Sequence, residues 1–149
     1  MNHSPHRVLY QNKLYPSALH LLEALKFIVH RPDLSERIRA CKDVHDVYPL
    51  SASMQEFVRA DWGELFLKSV EDVLYLKFKQ HPDLRSLLMG TGDKRIVYNE
   101  EGDRYWGEGE GGEGENQLGE AIVRVRERLR REGYAAGNGT GVNGGATVP

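Results

Sequence analysis

The chain has 149 residues, 40% of them hydrophobic and 28% charged, which fits about one soluble globular domain and leaves no room for a second full one. Twenty Lys and Arg against twenty-two Asp and Glu give a net charge of −2, so no overall field draws the chain to a polyanion, and any nucleic-acid role needs a local patch. No apolar run reaches the ~18 residues of a membrane span, and MNHSPHRV lacks the apolar stretch of a secretory signal, so cytosolic or nuclear residence without a membrane partner is expected.

Two short extended pieces at 7–10 and 13–15, separated by Gln11-Asn12, predict a hairpin. Pro16-Ser17 then opens a predicted helix over roughly 17–30, on which Ala18, Leu21, Leu22, Leu25, Ile28 and Val29 form one apolar arc facing the core. The opposite arc gathers Leu19, His20, Glu23, Lys26, Phe27 and His30, a mixture of titratable groups and hydrophobes unlike a purely solvated face. Helices are predicted at about 33–41, opened by Pro32-Asp33, and at 52–59. A longer one follows at 62–79, with Trp62, Leu65, Phe66, Val70, Val73, Leu74, Lys77 and Phe78 at compatible spacing. Pro82-Asp83 starts a short helix through Leu88, Thr91-Gly92-Asp93 makes a turn, and Arg95-Ile96-Val97-Tyr98 reads as a strand. The last helix, about 117–132, buries Leu118, Ile122, Val125 and Leu129 and shows Arg124, Arg126, Arg128, Arg130 and Arg131 to solvent. Interleaved with Glu127 and Glu132, these arginines read mainly as a solvated surface.

Of sixteen glycines, twelve fall within 107–119 and 133–149, so the remainder is glycine-poor and suited to regular structure. The second cluster has no apolar period and reads as a disordered tail over 135–149, leaving 1–134 as the folded domain. The first lies between an aromatic pair and an amphipathic helix, where backbone that can approach a ligand closely has a use; a solvated acidic connector is the other reading. Single Cys41 closes no internal disulfide, and no CxxC or HExxH pattern marks a metal site, so neither metal nor cofactor is expected.

The string Asp103, Tyr105-Trp106-Gly107, Gly109, Gly112, Gly114, Asn116, Leu118-Gly119 and Arg126, together with YPSALHLLEALKF and LKFKQHPDLRSLL, resembles the NADAR family of YbiA-like proteins over about residues 2–131. Asn2 and Ser4-Pro5-His6 resemble the later part of that family's Ser-Asn-Phe-Ser-Pro-His opening. The resemblance implies a mostly helical α+β single domain with a small β element. It also implies N-glycosidase chemistry on a ribosylated base or nucleotide, either ADP-ribosyl-guanine or a phosphorylated riboflavin-pathway intermediate. Breaking a ribosyl C–N bond develops positive charge on the sugar, which a carboxylate stabilises, while a donor assists the leaving base. A lysine near the anomeric carbon can attack it covalently.

The chain departs from the family in three places. The first helix of family members carries Ser-Glu-His with Lys-Phe seven and eight residues after the Glu; here His20, Lys26 and Phe27 hold their places, but the Glu position is Leu19. Where members read Val-Glu at the end of the strand, this chain has Val97-Tyr98. The glycine loop, where members often place Lys or Arg, carries Glu110, Glu113 and Glu115, and the segment from Glu100 to Glu115 has seven acids against Arg104. Such a loop repels a diphosphate unless the site is shielded or a basic surface faces it.

Glu23 lies one turn beyond Leu19, about 40° round the same stripe and roughly 6 Å along the axis, so a relocated carboxylate is geometrically conceivable. An ordinary exposed Glu–Lys pair with Lys26 is the competing reading. The candidate catalytic residues are therefore Lys26, as nucleophile or charge partner, with Glu23 and Asp103. Candidate substrate-binding residues are His20, Tyr98, Trp106, Gly107, Gly109 and Asn116, with Trp106 stacking a flat base. Turn capping is the alternative for Asp103, helix capping for Asn116, and a core position for Trp106. Trp62, fifteen residues before Lys77, is assigned to packing. The expected cleft is built from the first helix, the Trp106 loop and the glycine cluster. Its expected ligand is a ribosylated nucleotide, an ADP-ribose-type molecule or ADP-ribosylated nucleic acid. A catalytically impaired ADP-ribose- or nucleotide-binding module is the alternative function, because Leu19 and Tyr98 replace the family carboxylates, and a protein-interaction role for the acidic loop is a third.

Overall fold

A computed structural model describes residues 6–96 and 117–134. The predicted strand end at Val97-Tyr98, the loop through Asn116 and the tail from 135 onward lie outside the described residues. The fold is α+β and mostly helical, with one small antiparallel sheet. It divides into two compact units, Met1–Lys77 and Phe78–Pro149.

In the first unit, β1 (Val8–Tyr10) and β2 (Lys13–Tyr15) pair in the register Val8–Tyr15. Gln11 and Asn12 both take positive φ, 50° and 64°, the conformation a two-residue hairpin turn needs. Val8 and Tyr15 turn inward, while Leu9 and Leu14 face solvent. Helix α1 (Ala18–Leu25) starts at Ser17, whose hydroxyl oxygen accepts the His20 N–H at 3.2 Å. It packs against the hairpin, α2 (Pro32–Arg39) and α3 (Val44–Ser53).

Three expectations change here. Helix α1 ends at Leu25 rather than near 30: Lys26 N–H bonds Glu23 O and Phe27 N–H bonds Ala24 O, tightening the last turn. The helical register is lost beyond it, so Val29 is 73% exposed rather than part of the core arc. The opposite arc is buried too: His20, Glu23 and Phe27 lie inside along with Ala18, Leu21 and Leu22 of the predicted core arc, because α1 is enclosed on several sides. The helix predicted at 52–59 is instead α3 at Val44–Ser53, followed by a 3-10 turn at Gln55–Phe57. Its start signal is Asp43, whose carboxylate accepts the His45 N–H at 2.9 Å, and Pro49 is carried inside it at the loss of one ladder bond.

Helix α4 (Trp62–Gln80) runs as predicted and buries Val70, Val73, Leu74, Lys77 and Phe78. Lys77 is fully buried, and desolvation lowers its pKa from 10.5 to about 8. Between those values the unfolded chain holds more protons than the folded one, so stability rises with pH from about 8 to 10.5 and is flat in this contribution below 8. The stability difference between wild type and Lys77→Met, from urea melts at pH 7.5 and 10.5, should therefore change by up to about 3 kcal/mol; a pH-independent difference would exclude the buried ammonium.

The second unit holds the Phe78 end of α4, α5 (Pro82–Met89) and α6 (Gln117–Arg131). Leu84, Leu88, Leu118, Ile122, Val125 and Leu129 form its core. Arg126, expected in solvent, is only 3% exposed: its Nη1 donates to Thr91 Oγ1 at 2.9 Å and to the Lys94 carbonyl at 2.7 Å. It sits four residues after Ile122, on the apolar row of α6, so its position overrides its charge. Arg130 donates to the Gly92 carbonyl at 2.8 Å and pairs with Asp93 at 3.1 Å, fixing a turn whose Gly92 has φ +63°. Arg95 and Ile96 are irregular rather than strand.

Candidate active site

The end of α1, the body of α3 and the first residue of α4 converge on Lys26. The tightened turn that closes α1 brings its ammonium back over Glu23, Nζ to Oε2 2.7 Å, with the two side chains 16% and 5% exposed. Ser51 of α3 accepts a long bond from Nζ at 3.4 Å. The Tyr48 and Trp62 rings flank the ammonium at 5.7 and 5.9 Å from their centroids, cation–π distances that hold Nζ between two aromatic walls. A cavity of about 270 Å³ opens beside Nζ, lined by Lys26, Tyr48, Ser51, Ala52, Gln55, Val58 and Trp62.

Glu23 is no surface partner. The residue is 3% exposed and is absent from the cavity wall, lying beneath Lys26. Burial raises its pKa, opposed by the Lys26 charge and by hydrogen bonding from Lys26 and Ser51. The arrangement is a basic carboxylate behind an amine and an amine facing a cavity.

His20 does not face that cavity. Its Nε2 lies 2.8 Å from the Cys41 carbonyl and its Nδ1 2.7 Å from Ser17 Oγ. A carbonyl only accepts, so Nε2 carries the proton and Nδ1 accepts from the Ser17 hydroxyl. With the ring 1% exposed and both nitrogens engaged, the expected substrate bond is replaced by a clamp joining α1 to the chain after α2. Burial lowers the His20 pKa, which keeps the ring neutral. His20→Ala should cost about 3 kcal/mol in a denaturant melt, through a cavity and two orphaned polar groups; a loss below about 0.5 kcal/mol would contradict the clamp.

Tyr98, Asp103, Trp106, Gly107, Gly109 and Asn116 lie outside the described residues. Trp62, assigned to packing from sequence, stands half-exposed in the cavity wall. Tyr48 and Ser51 were not singled out, and their only sequence signal was Asp43, which sets the register of α3. Among the described residues, no helix is long and apolar enough to cross a membrane.

The scaffold that carries this lysine–carboxylate pair is a small, mostly helical α+β fold. Residues 1–130 match the NADAR domain model, and the chain belongs to that family. It is 31% identical over 120 residues to N-glycosidase YbiA of Escherichia coli (strain K12), covering 80% of this chain and 74% of that protein. It is 29% identical over 130 residues to N-glycosidase Npun_R5314 of Nostoc punctiforme, covering 87% and 83%. A riboflavin biosynthesis protein of Vibrio vulnificus is 30% identical over 129 residues, but the chain spans only 35% of that protein's length. The NMR structure of E. coli YbiA superposes with a TM-score of 0.77 at 29% identity, over 86% of this chain and 75% of that one. N-glycosidase function is thus present at the level of the family.

Proposed function

We propose that the protein is an N-glycosidase that hydrolyses the bond between ribose and a heterocycle in a ribosylated base or nucleotide, of the ADP-ribosyl-guanine or riboflavin-intermediate kind. The observation that carries this reading is the 2.7 Å Glu23–Lys26 pair at the edge of a cavity walled by Tyr48 and Trp62. Glu23 supplies the carboxylate lost at Leu19, one turn away and behind the lysine rather than in front of the sugar.

That placement sets the mechanism. A protonated Lys26 beside a developing oxocarbenium ion would oppose it, whereas the neutral amine is a nucleophile. Glu23, made more basic by burial, takes the proton from Nζ. Nζ then bonds to the anomeric carbon as the C–N bond to the heterocycle breaks, and the heterocycle leaves with that electron pair and takes up the proton that the new ammonium at Nζ sheds. The resulting glycosylamine opens to an imine, and water hydrolyses it to release the sugar and restore Lys26. In this proposal base stacking falls to Trp106, orientation of the sugar to Asp103 and Asn116, and further substrate contacts to Gly107, Gly109 and Tyr98, all of which lie outside the described residues.

Incubation should release ADP-ribose from ADP-ribosylated guanine oligonucleotides, or free heterocycle from phosphorylated riboflavin-pathway intermediates, measured by chromatography; no release from any of them would overturn the reading. Leu19, half-exposed and apolar, favours the second reading, a nucleotide-binding module without turnover. Calorimetric titration with ADP-ribose then shows binding without cleavage, and Leu19→Glu would confer the missing activity.

A further inference from the structure

Trp62 lines two cavities. One is the 270 Å³ hollow beside Lys26. The other, of about 420 Å³, is walled by the aliphatic side chains of Leu21, Leu25, Ile28, Val73 and Leu76 and capped by the Tyr10–Gln11 end of the hairpin. The seam between the two is one short stretch of chain, with Val58 in the first wall, Arg59 in the second and Trp62 in both. The Arg59 N–H bonds the Lys26 carbonyl at 3.1 Å, fixing that seam against the end of α1.

Charge separates the two compartments. The smaller one holds the Lys26 ammonium with the Ser51 hydroxyl and Gln55 amide, groups that suit a sugar rich in hydroxyls. In the larger one the Arg59 guanidinium is occupied by a two-pronged pair with Asp61, at 2.5 and 2.9 Å, and Asp72 in its wall pairs with Lys68 at 3.8 Å. An anion gains little there, while a flat neutral ring gains aliphatic contact, an indole face and hydrogen-bonding groups from Gln11 and Tyr10.

We infer that the Trp62 indole partitions the substrate, with the ribose beside Lys26 and the leaving heterocycle seated in the aliphatic cavity on the other side, so that the enzyme selects a flat, neutral leaving heterocycle. This inference rests on the N-glycosidase reading for the identity of the sugar-binding side. The heterocycle side is testable without turnover.

Leu76→Trp fills the aliphatic cavity from a half-buried position, and its thermal melt reports whether it folds. Calorimetry with a free purine base should show binding to wild type and at least a tenfold loss in Leu76→Trp, while binding of ribose 5-phosphate stays within about threefold. In cleavage assays, the same variant should raise KM at least tenfold for a ribosylated heterocycle. Purine binding unchanged in folded Leu76→Trp, or equal losses for base and sugar phosphate, overturns the inference. Base binding that obeys the prediction in a protein that cleaves nothing sinks the N-glycosidase reading and leaves the heterocycle cavity standing. If Leu76→Trp fails to fold, Trp62→Phe and Trp62→Ala take its place, with the ring-retaining variant expected to bind the purine at least tenfold more tightly.

Discussion

Lys26→Met is expected to lower base release from a ribosylated nucleotide by about a thousandfold or more while leaving nucleotide affinity within about tenfold. The methionine keeps the length and apolar stem that packs between Tyr48 and Trp62 but has no nitrogen to bond the anomeric carbon. Removing the ammonium also leaves Glu23 buried without its partner, and its pKa, already raised by burial, rises further. The variant should therefore favour the protonated, neutral form of Glu23 more than wild type does, and stay folded. A kcat within tenfold of wild type, with the melt unchanged, would remove Lys26 from the chemistry.

Glu23→Gln separates the two partners in the other direction. The amide preserves the shape of the side chain beneath Lys26 and its contact with Ser51, but accepts no proton from the amine. Base release should fall by about a hundred- to thousandfold, with KM little changed, since Glu23 does not line the cavity. The pH profile carries the sharper signature. Because burial holds Glu23 above its ordinary 4.5, the wild-type rate should rise with pH through that raised value as the carboxylate becomes the working base, and this acid limb should vanish in Glu23→Gln. An acid limb that persists unaltered in the variant would assign the titration to another group.

Much of the architecture was legible because it rests on local signals. Gln11-Asn12 between two extended pairs gave the hairpin, and the apolar spacing from Trp62 to Phe78 gave α4 almost to the residue. What failed depended on tertiary enclosure. A helix wheel assigns one face to the core, yet α1 is surrounded by the hairpin, α2 and α3, so Glu23 and His20 are buried on the face read as its opposite. Arg126 shows the same limit, since its charge pointed outward while its row on α6 pointed inward. The site was legible in part: Lys26 and Glu23 were drawn together from their i, i+3 spacing, but Tyr48 and Ser51 were not, because Pro49 hid the helix that carries them.

The conversion of an expected surface pair into a buried one also changes how the missing carboxylate is understood. A glutamate at position 19 and one at position 23 occupy different heights on α1, and catalysis is sensitive to displacements of ~1 Å. In the proposed mechanism Glu23 therefore acts on Lys26 rather than on the sugar, and the amine does the reaching.

Covalent attack by that amine is the central step of the proposed mechanism, and sodium borohydride quenching during turnover tests it most directly. Reduction of the imine should fix the sugar to the protein, and mass spectrometry of the digested product should locate the added mass on Lys26. Sustained base release with no adduct on Lys26 would contradict the account.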